Sequence, residues 1–137
     1  MVSHEEVAAT QMSLARGILE NHNFFDDFYK TFFESSAKIP EFFKDTDLSR
    51  QKKVVKDGIL VMIMFAEGSP IGLEKLAEIA EIHSKKNRNI DPKLYPLWIE
   101  TLIETLRKND PEFSDELEQS WRKIIAKGID FFVEKYQ

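Results

Sequence analysis

Few residues in the 137-residue chain could do chemistry alone, and histidine is the scarcest: His4, His22 and His83. His4 stands in the first few residues and His22 beside Asn21 and Asn23, places that suit solvent exposure or capping. His83 comes late in a stretch of helical period, on one stripe with Leu76, Ile79 and Ala80, so its ring is expected to point inward. An inward histidine is either a hydrogen-bonded core residue or a ligand. No H-E-x-x-H occurs and no second histidine lies within helical reach, so a multi-histidine metal site lacks support. A single protein ligand suffices where the metal arrives inside a macrocycle, as haem iron does. Tyr29 is the second candidate. It shares a broad face with Phe25, Phe28, Phe32 and Phe33, which reads as core, but a buried hydroxyl needs a partner.

Other chemistries find no footing. Without cysteine there are no disulfides, thiolate zinc sites or thiol nucleophiles, which fits a reducing compartment. No G-x-S-x-G elbow, G-x-G-x-x-G turn or phosphate-binding G-x-x-x-x-G-K-[ST] appears. The basic run Arg50, Lys52, Lys53 and Lys56 lies opposite Leu48, Gln51, Val55, Ile59 and Met62, and is expected to be a solvated face. A net charge of −5, from 19 basic and 24 acidic residues, argues against nucleic acid. The longest apolar run, 59–66, is less than half a membrane span, and the first ten residues include His4, Glu5 and Glu6 where a signal peptide needs an apolar core. A cytoplasmic protein without membrane insertion is expected.

The elements that must position these residues are helical. Ser69-Pro70, Asp91-Pro92 and Asp110-Pro111 each pair an N-cap type with a residue suited to the first helical position. Between them apolar residues recur at three and four: Leu73, Leu76, Ala80 and His83; then Leu94, Leu97, Trp98, Leu102 and Leu106; then Leu117, Trp121, Ile124, Ile125, Ile129 and Phe132. The spacing predicts helices at about 3–19, 22–36, 47–66, 71–86, 92–108 and 112–136, with a helical turn near 37–42. No strand signal, repeat or linker interrupts them, so 1–137 is expected to be one all-α domain.

The string FYKTFFESSAKIPEFF, Phe28 to Phe43, together with Gln51, Val55, His83, Tyr95-Pro96 and Trp121, resembles the globin family. The likeness is to bacterial single-domain haemoglobins of the Vitreoscilla type and to the globin domains of flavohaemoglobins. It implies the globin fold, a three-on-three helical sandwich around haem b (iron protoporphyrin IX). It also implies roles: His83 as the proximal iron ligand, Phe43 stacking on the haem, Tyr29 and Gln51 as distal polar groups, Val55 as the apolar residue over the iron, and Tyr95 opening the next-to-last helix in the pocket. Lys86 and Arg88 are near enough in sequence to pair with haem propionates. Two departures stand out. The stretch from His83 to Tyr95 is two residues longer than in the Vitreoscilla type. Where that family has a glutamate beside the proximal histidine, this chain has Tyr136, with Glu134 two residues earlier; a strong electron push and peroxidase-like chemistry are therefore not expected.

The function that the resemblance implies is reversible binding of a diatomic gas (dioxygen, nitric oxide or carbon monoxide) for storage, delivery or sensing, by a monomer or homodimer. An enzymatic alternative, nitric oxide dioxygenation, consumes an electron per turnover and would need an external reductase. A haem-free globin-like sensor or adaptor acting on a signalling partner is the third reading, in which His83 is a core residue.

Overall fold

The structure is a computed structural model that describes residues 2–137. All regular structure among them is helical: α1 (His4–Leu14), α2 (Phe24–Ser35), α3 (Lys38–Phe42), α4 (Leu48–Ala66), α5 (Pro70–His83), α6 (Tyr95–Asn109) and α7 (Asp115–Glu134). Local chemistry sets most starts. Ser3 and Glu6 form a reciprocal capping box on α1, Asp47 accepts from Ser49 and Arg50 N–H at α4, and Ser69 Oγ accepts from Gly72 N–H at α5. No helix of the described residues is long and apolar enough to cross a membrane.

The helices form two layers. In one, α4 packs against both α1 and α5; in the other, α6 packs against both α2 and α7. Helix α7 joins the layers by packing on α1, α4 and α5. This is the three-on-three sandwich. Its core combines aliphatic residues of α4, α6 and α7 with an aromatic cluster from α2, in which Phe24, Phe28 and Phe32 are all buried.

Five expectations from the sequence are corrected. The 3–19 helix is not uniform: α1 widens into a π turn over Ala15–Leu19, where Ser13, Arg16 and Gly17 all meet Asp110. Asp110 is not the N-cap of the last helix. Its carboxylate is taken by Ser13 and Arg16, and Ser114 caps α7 by accepting from Leu117 N–H at 3.1 Å. Helix α5 stops at His83 instead of 86, and the 92–94 stretch is a 3₁₀ turn leading into α6. Leu73 is 47% exposed, because the buried face of α5 is centred on Gly72, Leu76 and Ala80.

At Gly72 the backbones of α4 and α5 come close together. A Cβ there would lie 2.7 Å from Phe65 N and 2.8 Å from Met64 C, both backbone atoms. At Gly128 the nearest atom is Met62 Cγ at 2.9 Å, part of a flexible side chain. Gly72→Ala is therefore expected to lower stability by about 1–3 kcal/mol through forced backbone separation, and Gly128→Ala by clearly less. Urea denaturation of the two variants checks the order; equal losses would mean that backbone contact is not what distinguishes them.

Candidate functional site

Between the layers lies a cavity of roughly 620 Å³, within the usual size range of small-molecule and cofactor sites. Tyr29 from α2, Phe43 from the α3–α4 corner, Gln51 and Val55 from α4, His83 from α5 and Tyr95 from α6 all line it. The structure thus brings six residues, spread over 67 positions of sequence, to one wall system.

His83 is the last residue of α5. Its Nδ1 lies 3.4 Å from Tyr95 Oη, and the Phe132 ring meets it edge-on with centroids 5.0 Å apart. Burial, with a smaller push from the Arg88 cation, lowers its pKa to about 4. The imidazole is consequently neutral at pH 7, and the ring nitrogen not turned to Tyr95 is Nε2. Tyr95 itself is pushed up to about 12 by burial and by nearby Tyr136, so its hydroxyl keeps its proton.

Tyr29 stands on a different wall. Its aromatic neighbours are Phe28, Phe32, Phe33 and Phe43, none of which contacts His83. Its hydroxyl is buried and makes no hydrogen bond. Burial raises its pKa well above the ordinary phenol, and the Gln51 side chain offsets part of the rise without reaching hydrogen-bonding geometry. Tyr29 is therefore a buried O–H donor without a hydrogen-bond partner among the described residues. Leaving such a group unmatched costs about 1–3 kcal/mol.

Of the cationic residues, Arg88 lines the cavity as expected, whereas Lys86 does not. Arg50 is exposed, in keeping with a solvated face, but it also lines the cavity. Lys52 of the same basic run pairs with Asp26. Glu134 is exposed on the last turn of α7, and Tyr136 Oη donates to Asn89 Oδ1. His4 and His22 are both exposed, and Asn21, not His22, bonds the backbone ahead of α2. Sequence reasoning missed Ile39, Ile90, Leu94, Ile129 and Phe132 as lining residues. Leu94, Ile129 and Phe132 do fall on recognisable inward stripes, but nothing local says which cavity a stripe faces. Among the described residues no three His, Cys, Asp or Glu side chains gather as a metal cage.

The profile of the Globin family matches residues 26–130, well over half of the chain. The chain is a globin. A solved structure supports the assignment independently: PA3967 of Pseudomonas aeruginosa PAO1, described as structurally highly homologous to a human hemoglobin. This globin is 30% identical to it, with a TM-score of 0.90 covering 96% of the present chain and 98% of the other. No curated protein matches it significantly in sequence. Globins generally bind haem and, through it, diatomic gases; the interlayer cavity of this globin offers one neutral imidazole and one unpaired phenol within a largely apolar lining, which fit such a guest.

Proposed function

We propose that this globin holds haem b in the interlayer cavity through His83 and binds a diatomic gas reversibly, working as a single domain over 1–137. The observation that carries the reading is the pairing of a half-buried, neutral His83 with an unsatisfied Tyr29 hydroxyl on separate walls of one largely apolar cavity. When bound, the haem supplies an iron centre with a coordination position open to a small gas.

The chain's own residues then divide the work. With His83 Nε2 committed as ligand, the ring proton resides on Nδ1, where Tyr95 Oη accepts it. Phe43 and Val55 present flat and branched apolar surface to a planar guest and keep water out. Arg50 and Arg88, both exposed and lining the cavity together with Asp45 and Asp47, would hold the propionates. Tyr29 O–H and the Gln51 amide are the distal donors that orient a guest acquiring negative charge.

The test is the visible spectrum of the purified protein with haem added, then reduced, then under carbon monoxide. An intense Soret band that moves with carbon monoxide is expected. Haem uptake no greater than to an unrelated helical protein would defeat the reading and favour a haem-free adaptor.

Tyr29→Phe has two expected effects of opposite sign. A hydrogen bond to a partly charged acceptor contributes about 1.5–3 kcal/mol, so its loss speeds dioxygen release by roughly ten- to a hundredfold. The haem-free protein, relieved of an unmatched buried hydroxyl, is at least as stable as wild type. Stopped-flow release and urea unfolding measure these separately; an unchanged off-rate removes Tyr29 from the account.

A further inference from the structure

What fixes the His83 ring is not obvious from its own contacts. Its Nδ1 meets a neutral hydroxyl at 3.4 Å, the long end of hydrogen-bonding distance, and Glu134 is turned to solvent. The ring's direction therefore depends on the backbone that carries it. That backbone ends a helix: Ser84 is extended, and its hydroxyl and the Asn87 amide both donate to Glu81 O, each at 2.7 Å, closing off α5. The following loop folds back under His83. Arg88 N–H donates to Ile82 O at 3.0 Å and Ile90 N–H to His83 O at 3.1 Å. Asn89, between them, adopts φ 53, in the left-handed region.

The end of the chain holds this loop at two points. Lys85 N–H donates to Tyr136 O at 2.8 Å, and Tyr136 Oη donates to Asn89 Oδ1. One turn earlier, Phe132 rests against the His83 ring. We propose that Tyr136 is a positioning residue for His83: by latching the 84–90 loop to the end of α7, it fixes the direction in which His83 presents its ligating nitrogen. The latch does by backbone restraint what a charged partner on Nδ1 would otherwise do. The inference rests on the reading of His83 as haem ligand.

Tyr136→Phe and Asn89→Gly remove the same hydrogen bond from its two sides, and glycine keeps the left-handed φ. Three measurements follow: amide exchange at Ile90 in the haem-free protein, the iron–histidine stretching band of the ferrous haem protein by resonance Raman, and haem loss to a scavenging apoprotein. Each variant is expected to exchange faster at Ile90, to shift and broaden the stretching band, and to lose haem about two- to tenfold faster, the worth of one net hydrogen bond. The double variant should go no further than either single one. Faster exchange with an unmoved band would make Tyr136 a purely structural tether and overturn the proposal. A wild-type protein that takes up no haem would fail the proposed function itself, whereas a wild-type haem protein whose band ignores both substitutions would fail only the latch.

Discussion

His83→Ala is expected to fold normally and to lose haem affinity by more than about a hundredfold, since removing even an outer partner of a metal ligand costs roughly 10–100-fold. The fold should survive because the ring contributes little to it. Its one polar contact is the 3.4 Å approach to Tyr95, and it ends a helix whose buried face is carried by Gly72, Leu76 and Ala80. Far-ultraviolet circular dichroism with a haem titration separates the two effects. Affinity within threefold of wild type would assign the ligand elsewhere. His83 also predicts a pH trend. Its pKa is about 4 in the fold, below the ordinary 6.5 of an unfolded chain, so the unfolded state takes up the proton first. The contribution of neutral His83 is fully present above pH 6.5 and is lost as pH falls from there towards 4. In His83→Ala that part of the slope disappears.

The second large effect is on stability and lies far from the cavity. Asp110→Ala should cost about 3 kcal/mol, the lower range for breaking a buried ion pair, because Arg16 retains some access to water. The Asp110 side chain has no solvent exposure, while that of Arg16 is 21% exposed. Arg16 Nε and Nη2 donate to its two oxygens at 2.8 and 3.1 Å, Ser13 Oγ donates at 2.6 Å and Glu112 N–H at 3.0 Å. Trp121 Nε1 in turn donates to Ser13 Oγ at 2.9 Å, tying α7 to α1 through the same group. Burial alone would raise the Asp110 pKa, but the Arg16, Ser13 and Glu112 donors outweigh it and hold the carboxyl below the usual range. Its stabilisation is present above the unfolded value near 3.8 and lost as pH falls through the lower folded value. Urea midpoints at pH 7 and pH 3 check both parts; a loss below 1 kcal/mol at pH 7 would make the network dispensable.

Asp110 also shows where reading the sequence stops. Asp-Pro is a good local signal for a helix start, and at Asp91-Pro92 it does cap a helical turn by accepting from Lys93 N–H. At Asp110-Pro111 a partner 94 residues away, Arg16, captures the carboxylate, and the helix begins after Ser114. Tertiary charge pairing won over local capping. The π turn at Ala15–Leu19 is hidden for the same reason, since the residues it carries, Arg16 and Gly17, lie against the distant Asp110. The long helices were legible because α2, α6 and α7 carry unbroken apolar stripes. Tyr29, Phe43, Gln51, Val55, His83 and Tyr95 were legible through an ordered family resemblance, which no local pattern would have supplied. Arg50 was legible as a solvated residue but not as a lining one, because a helical wheel tells which side a residue is on but not that the cavity opens beside that side.

The close approach at Gly72 has a mechanical consequence. Helices α4 and α5 are joined by a short turn over 67–69 and pressed backbone to backbone beside it, while their far ends carry Arg50 and Gln51 on one arm and Ile82 and His83 on the other. The two helices thus diverge from their contact at Gly72 with the cavity between their far ends. Eleven residues of helix separate Gly72 from His83, a lever of about 16 Å. A difference of about 4° in the angle between the helices at Gly72 would therefore displace His83 by about 1 Å, so the packing at this glycine sets the width of the cavity at its far end.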